Sequence, residues 1–409
     1  MLILYNISIH IYCFLIQIVG LFRLKAKLWI TGRHNLFERL AEQVDTNKKT
    51  VWMHCASLGE FEQGRPILES IRKDYPDWQI VLSFFSPSGY EIRKSYEGAN
   101  VVTYLPLDTR KNAERFIDMV QPELVVFVKY EFWYHHLSVL AERSIPTYLV
   151  SAIFRADQWF FKSYFGRLGR RMLFTFDHIF VQNNTSARLL QDIGYEKVSV
   201  VGDTRIDRVL QIAKTAEQLP IINDFVQGRP ALVVGSSWAA DEQILLSYIH
   251  QYPDDWQYII APHDVNKSHI DALASAIQVP FQRYSTYQFE EEASVLLVDN
   301  IGLLSRIYQY GTVAYIGGGF GSGIHNTLEP AAFNLPILFG PRYHKFEEAV
   351  QLVQSGGAFV ITSVADLSAF LTQLRQSSAH QTAAKSVQSY LIVHKGATSR
   401  IMNMIKLKF

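Results

Sequence analysis

TVWMHCASLGEFEQGRPILESIRKDYPDWQIVLSF, residues 50–84, holds two apolar β-rich runs, 50–55 and 79–84, on either side of a helical pattern, 60–73. Two strands joined through a helix form a parallel crossover, because strands running in the same direction need a connection of a dozen or more residues. The alternation repeats along the chain. Further β-rich runs fall at 101–105, 124–128, 147–150, 178–181 and 198–201, with helical patterns such as 112–120 and 132–143 between them. It restarts at 231–235 and continues through 258–261, 294–298, 312–317, 336–339 and 358–361. Such a pattern is the signature of doubly wound, mostly parallel sheets. It predicts an α/β protein with two Rossmann-like domains. The boundary is expected within 204–229, where Pro220 and the turn Gly228-Arg229-Pro230 interrupt the pattern. Ligands of such sheets bind beyond the carboxyl ends of the strands. With two halves facing a central cleft, the site is expected between them. Residues 382–406 read as helical, with a break near Gly396.

The chain has 409 residues, enough for two domains, and its 48% apolar content supplies their cores. A formal net charge of +1 argues against nucleic acid as a partner in bulk. Two cysteines, Cys13 and Cys55, exclude a disulfide scaffold and favour a reducing compartment. Aromatic residues reach 13%, a surplus that suggests contact with an apolar surface. The first 22 residues carry no charged side chain. As a helix they would extend about 33 Å, close to the thickness of a bilayer core. No basic segment precedes this run and no cleavage site follows it, which sets it apart from a secretory signal. Asn6, Ser8, His10 and Gln17 weaken a spanning reading, and a helix lying in the headgroup plane is the alternative. Arg23, Lys25, Lys27 and Arg33 follow and place the rest of the chain on the cytoplasmic side.

Four stretches can carry chemistry. The run 312–315 enters Ile316-Gly317-Gly318-Gly319-Phe320-Gly321-Ser322-Gly323-Ile324-His325-Asn326, and a helix is expected from about Thr327. Glycines let a backbone approach an anion, and a helix N-terminus offers it free N–H groups. Neither G-x-G-x-x-G nor G-K-[ST] is present, which argues against a dinucleotide oxidoreductase and a P-loop NTPase. Glu329, one helical turn beyond Asn326, can accept both hydroxyls of a ribose, or can simply favour the helix dipole. The second stretch, His54-Cys55-Ala56-Ser57-Leu58-Gly59-Glu60-Phe61-Glu62, joins the first strand to the first helix. Ser57 and Glu60 fit a capping box, while Gly59 beside Glu60 leaves room for a substrate. The third, Lys129-Tyr130-Glu131-Phe132-Trp133-Tyr134-His135, follows another strand and mixes charge with aromatics, as a sugar or acidic ligand requires. It also fits the start of a surface helix with an aromatic core face. The fourth, 158–171, interleaves aromatics with Lys162, Arg167, Arg170 and Arg171. It suits an anionic lipid surface, or a buried aromatic helix with a solvated basic edge. There is no H-E-x-x-H, no paired C-x-x-C, no D-x-D and no G-x-S-x-G, so neither a metal site nor a serine hydrolase is expected.

Taken together the motifs resemble those of the Kdo (3-deoxy-D-manno-octulosonic acid) transferases of lipopolysaccharide synthesis. ASLGE at 56–60, SPSGYE at 86–91, KYEFW at 129–133 and VGDTRID at 201–207 carry the resemblance. GSSWAADEQ at 235–243, GSGIHNTLEPAA at 321–332 and GPRYHKFEEA at 340–349 extend it over nearly the whole chain. The resemblance implies a GT-B glycosyltransferase at the cytoplasmic face of the inner membrane. It would move Kdo from CMP-Kdo to a lipid A precursor with inversion, without metal or cofactor. Its implied domains are an anchoring helix at 1–33, an acceptor domain at 34–207, a linker at 208–229 and a CMP-Kdo domain at 230–409. Glu60 matches the family's base and Glu131 its second essential glutamate. Pro262, His263, Ile301, Gly302, Gly321, Ser322, Gly323, Asn326 and Glu329 are implied on the donor side. Ser57, Gly59 and Lys129 are implied on the acceptor side. The chain departs from the family at Ala261-Pro262-His263-Asp264, where a P-R-H triplet is usual, so His263, Arg342 or Lys345 must replace the arginine that meets the phosphate. It departs again at Gly302-Leu303-Leu304, where G-E-L is usual. The residues by themselves also admit a GT-B member acting on a UDP-sugar, an epimerase, or a membrane-tethered nucleotide-binding module without catalysis.

Overall fold

The computed structural model describes residues 1–162, 166–289 and 291–406. Two compact units emerge, Met1–Asp207 together with the chain from Gly396 onward, and Arg208–Lys395.

The first unit is built on seven strands: β1 (Thr50–Cys55), β2 (Gln79–Phe84), β3 (Val101–Tyr104), β4 (Pro122–Val128), β5 (Thr147–Ala152), β6 (His178–Val181) and β7 (Val198–Val200). All pairings are parallel, in the order β3-β2-β1-β4-β5-β6-β7. Alternate side chains go to opposite faces, as the period of two requires. Val51, Met53 and Cys55 of β1 join one core, and Trp52 joins the other. Covered on both faces, the strands read in sequence as continuous apolar runs. The order reverses between β1 and β4, which opens a crevice beyond their carboxyl ends.

The second unit repeats the plan with β8 (Ala231–Ser237), β9 (Gln257–Pro262), β10 (Phe281–Arg283), β11 (Val295–Leu297), β12 (Val313–Ile316), β13 (Ile337–Phe339) and β14 (Ala358–Val360). These are parallel in the order β10-β11-β9-β8-β12-β13-β14, and here the reversal lies between β8 and β12. The edge strand β10 was not expected: it is three residues long, and its Gln282 and Arg283 break the apolar pattern.

Two segments differ from the implied domain plan. Residues 208–229 are mostly helical, not an open linker, in Thr204–Lys214 and Pro220–Val226, where Ile222, Phe225 and Val226 are buried. The last helix, Ala397–Lys406, belongs to the first unit and not with 230–395. Its Ile401, Met402 and Ile405 enter the core that holds Val51 and Met53. The Asp207 carboxylate accepts from the N–H groups of Gly396 at 2.6 Å and Thr398 at 2.7 Å, and the Arg400 guanidinium donates to the Val201 carbonyl. Spacing predicts the helix and its apolar stripe, but not which core the stripe fills. Burying three such side chains is worth about 5–8 kcal/mol, comparable with the whole stability of a domain. Ending the chain at Lys395 is therefore expected to leave the first unit unfolded or aggregated, while the second keeps a cooperative melting transition in calorimetry.

The Leu2–Gly20 helix lies on the first unit. The Tyr5 hydroxyl donates to the Asp108 carboxylate, and Asn6 Oδ1 meets His135 Nε2 at 2.7 Å. Asp108 is buried and also accepts from the backbone N–H groups of His135 and His136 and from His136 Nδ1. Burial opposes its ionisation, but these bonds hold it below the usual carboxylate value.

In the aromatic–basic stretch, Trp159–Phe161 forms a single 3-10 turn and Gly166–Leu173 a helix. Phe160 is buried against Phe132 and Phe154, while Lys162, Arg167 and Arg171 point to solvent. The described part therefore matches the buried aromatic segment with a basic edge. Ser163, Tyr164 and Phe165 lie outside the described residues.

Candidate active site

The crevice of the first unit gathers its chemistry from the ends of β1 and β4. The chain leaves β1 through Ala56 and enters the helix Leu58–Asp74, with Ser57 at the N-cap and Glu60 in the first turn. Only half of a capping box forms. The Ser57 side chain accepts no backbone N–H; its hydroxyl donates to Glu60 Oε2 at 3.3 Å, and the backbone N–H groups of Ala56 and Ser57 bond to Glu60. Burial, and then the charge of Glu131, push the Glu60 carboxyl up to about 7, against the pull of Lys129 and the two N–H groups. A carboxylate tuned to neutral pH is what general-base catalysis requires. An added Cβ at Gly59 would meet nothing within 4 Å, so packing does not demand a glycine there and the approach beside Glu60 is open.

Beyond β4, Lys129 takes a φ of +68°, an unusual conformation for a side chain with Cβ and one that clusters at functional sites. Glu131 follows, 8% exposed. It bonds to His54 Nε2 at 3.0 Å and accepts from Trp133 Nε1 at 2.7 Å. His54 is fully buried, and its desolvation outweighs Glu131 to keep it neutral. Its Nδ1 faces Ser83 Oγ at 2.8 Å, and that hydroxyl accepts from Trp52 Nε1 at 2.8 Å. The bonds fix the orientation of the imidazole, with Nδ1 on Ser83 and Nε2 facing Glu131 and the Trp133 indole N–H. Glu131 is thus held by hydrogen bonds to His54 and Trp133, and its charge is one of the causes that raise Glu60 beside it.

In the second unit the crevice beyond β8 and β12 contains a cavity of about 370 Å³, whose lining includes Ser236, His263, Gly302, Tyr308, Asn326 and Glu329. The glycine loop after β12 is held from behind. Asp241, fully buried, accepts from the Gly318 N–H at 2.8 Å, the Trp238 N–H at 3.0 Å and the Tyr315 hydroxyl at 2.7 Å. A Cβ at Gly317 would strike the Ser236 carbonyl, and one at Gly319 the Gly340 backbone. These glycines are therefore required by backbone packing. Asn326 Nδ2 donates to Glu329 Oε1 at 3.0 Å, and Asn326 Oδ1 accepts from the Leu328 N–H at 3.1 Å. The helix that follows, Leu328–Ala331, is a single turn.

Three flat side chains close one wall. Trp238 stacks on His263 with ring centroids 4.4 Å apart, and His263 on His325 at 4.5 Å. Trp238 Nε1 donates to His325 Nε2 at 2.8 Å, which leaves the proton of that imidazole on Nδ1. Burial, then the neighbouring His263, keep His325 below its ordinary pKa. Among the described residues that line the cavity there is no Lys or Arg. Arg342 is engaged with the glycine loop, donating to the Gly321 carbonyl at 2.5 Å.

Of the residues singled out from sequence, His263, Gly302, Asn326 and Glu329 share this cavity. Pro262 ends β9 beside it. Ile301 is 84% exposed, and Gly321 and Ser322 are exposed on the glycine loop with Gly323 next to them, outside the cavity lining. Ser57, Gly59, Glu60, Lys129 and Glu131 belong to the first-unit crevice. His54, Ser83, Trp52 and Trp133 were not chosen as site residues. His54 and Trp133 flank the chosen glutamates in sequence, but only β1–β2 and β1–β4 pairing brings their side chains together. Trp238 and His325 were missed for the same reason. Each sits in a quoted motif, and the stack forms through the parallel pairing of β8 with β9 and β12.

Residues 34–208 match the family model described as 3-Deoxy-D-manno-octulosonic-acid transferase (kdotransferase). A 3-deoxy-D-manno-octulosonic acid transferase of Haemophilus influenzae is 26% identical over 373 residues, 87% of this chain and 86% of that protein. One from Aquifex aeolicus is 26% identical over 347 residues, 81% of this chain and 88% of that protein. Among solved structures, a UDP-GlcNAc 2-epimerase from Neisseria meningitidis superimposes with a TM-score of 0.62 at 14% identity, covering 88% of this chain and 100% of that one. That likeness concerns the fold, two parallel-sheet α/β domains of the GT-B kind.

Proposed function

We propose that this chain, which belongs to the Kdo transferase family, moves Kdo from CMP-Kdo to a sugar hydroxyl of a lipid A precursor at the cytoplasmic face of the inner membrane, inverting the anomeric centre. The observation that carries the reading is Glu60, a carboxyl tuned to about 7 beside an open glycine at the mouth of the first sheet. A sugar hydroxyl is a poor nucleophile at neutral pH. Glu60 takes its proton as the bond to Kdo forms. Glu131 raises the Glu60 carboxyl and is itself positioned by His54 and Trp133. Ser57 and Lys129 would orient the acceptor beside Gly59.

On the donor side, Glu329 accepts from the ribose hydroxyls and Asn326 holds the Glu329 carboxylate in place. His325 Nδ1–H and His263 supply donors to the phosphate in place of the family's arginine. CMP leaves as a phosphate and needs charge stabilisation, not a proton. Gly302, with Pro262 and Ile301 near it, would line the nucleotide, and the Gly321-Ser322-Gly323 backbone would face Kdo. The apolar helix Leu2–Gly20 supports attachment to the membrane that holds the acceptor.

The test is mass spectrometry of lipid product after incubation with CMP-Kdo and a tetra-acylated lipid A precursor. A mass gain of one or more Kdo units supports the reading, and an unchanged acceptor rejects it. Thermal shift with CMP and with UDP separates this donor from a UDP-sugar. Gly59→Ala gives a second check. Alanine is the better helix former, so the variant is expected to gain about 0.5–1 kcal/mol of stability. The new methyl group sits where the acceptor must pass, so transfer is expected to fall at least tenfold with CMP affinity unchanged. Full activity in that variant would move the acceptor path elsewhere.

A further inference from the structure

We propose that the Leu2–Gly20 helix lies in the plane of the bilayer, docked on the first unit by its polar face, and does not cross the membrane. It rests on the membrane attachment proposed above, but not on the identity of donor or acceptor.

The helix is attached along its whole length. Near its start are the bonds of Tyr5 to Asp108 and of Asn6 to His135. In the middle, Ile9 is buried, and Tyr12 packs on Phe85 and Trp29 with ring centroids 6.0 and 5.9 Å away. Near its end Gly20 lies so close to Ile30 that a Cβ would stand 2.5 Å from its terminal methyl. Nineteen residues of helix extend about 28 Å, so a crossing helix would carry one of these ends to the far side of the membrane and strip its partners from it.

The opposite face is apolar throughout. Ile3, Ile7, Ile11, Phe14 and Ile18, spaced by three or four residues, are 43–74% exposed. The polar side chains that weaken a spanning reading have places in this arrangement. Asn6 faces protein, and by helical spacing Ser8, His10 and Gln17 flank the stripe at the waterline. Leu21, Phe22 and Leu24 continue the exposed apolar surface at 72–81%. Arg23, Lys25 and Lys27 are exposed among them and fit anionic headgroups. Arg33, the fourth cation of the sequence, does not take part. It donates to the carbonyls of Leu105, Trp29 and Phe85 and stacks on Trp29 at 3.8 Å. The occupant of this face is an anionic lipid surface, and the helix is its float.

The test uses the full-length protein with Cys13→Ser and one added cysteine, Ile3→Cys, Ile11→Cys or Ile18→Cys, each carrying an environment-sensitive fluorophore. The protein is bound to vesicles of phosphatidylethanolamine and phosphatidylglycerol, and quenching by lipids spin-labelled at two acyl depths gives the depth of each probe. All three are expected at one shallow depth, about 5–10 Å into the headgroup–acyl boundary. A probe at position 11 about 10 Å deeper than those at 3 and 18 is the mark of a crossing helix and would overturn the proposal. Failure of the protein to float with the vesicles would remove the attachment itself. Equal shallow depths in a protein that shows no Kdo transfer would uphold the orientation while rejecting the enzymatic reading.

Discussion

Glu60→Gln is expected to lower the turnover of Kdo transfer by about 10²–10⁴-fold, the usual worth of a positioned general base, and to leave CMP affinity unchanged. The same variant is expected to be more stable than the parent in alkaline buffer. Burial and the Glu131 charge raise the Glu60 carboxyl from 4.5 to about 7. Between those values the folded state holds a proton that the unfolded chain has released, so the group's contribution to stability is complete below pH 4.5 and is lost as pH rises through 7. Glutamine carries no such penalty. At pH 8 the gain is expected on the order of 1–3 kcal/mol, reduced by the partial exposure of the side chain, and at pH 4 it vanishes. Parental turnover should rise with pH through about 7 and then level off. Near-parental turnover in the variant would remove Glu60 from the mechanism, and lower stability at pH 8 would contradict its strained burial. Loss of activity together with gain of stability is the pattern of a residue kept for chemistry.

Glu329→Ala is expected to weaken CMP binding by about 10²-fold or more by calorimetry. Two hydrogen bonds from ribose hydroxyls to a carboxylate are lost, each worth about 1.5 kcal/mol or more. The substitution also frees Asn326 Nδ2 from its 3.0 Å bond to that carboxylate. Glu329→Gln separates these effects: it can restore the contact with Asn326 but only part of the acceptor strength, so its affinity should fall between the two. Unchanged affinity in both variants would leave the carboxylate without a ribose role. The phosphate contacts proposed for His263 and His325 form a separate group, in the stack of these rings with Trp238.

Much of the fold is legible because both sheets are buried on both faces. Strands such as Thr50–Cys55 and Gln79–Phe84 read as unbroken apolar runs, and their bounds follow from the residues alone. β10 escapes because an edge strand need not be apolar. The carboxylates Glu60 and Glu131 are legible because each follows a strand end that the reversal of strand order exposes. The tuning of Glu60 is not legible, since it depends on burial and on Glu131 and Lys129 being brought beside it from the end of another strand, and neither is the His54–Ser83–Trp52 bonding behind Glu131. The glycine run shows the opposite limit. Five glycines in Gly317–Gly323 point to an anion cradle, yet Gly317 and Gly319 are explained by the approach of Ser236 and Gly340.

The return of Ala397–Lys406 to the first unit also sets an order of events in biosynthesis. A ribosome finishes the seven strands of the first sheet nearly two hundred residues before it makes the helix that seals one of its faces. During that interval the socket for Ile401, Met402 and Ile405 stays open, an apolar surface of the kind that makes nascent chains prone to aggregate. Residues 208–395 can meanwhile fold as a unit of their own. The first unit therefore begins folding first and finishes last, once the helix from Ala397 has been made.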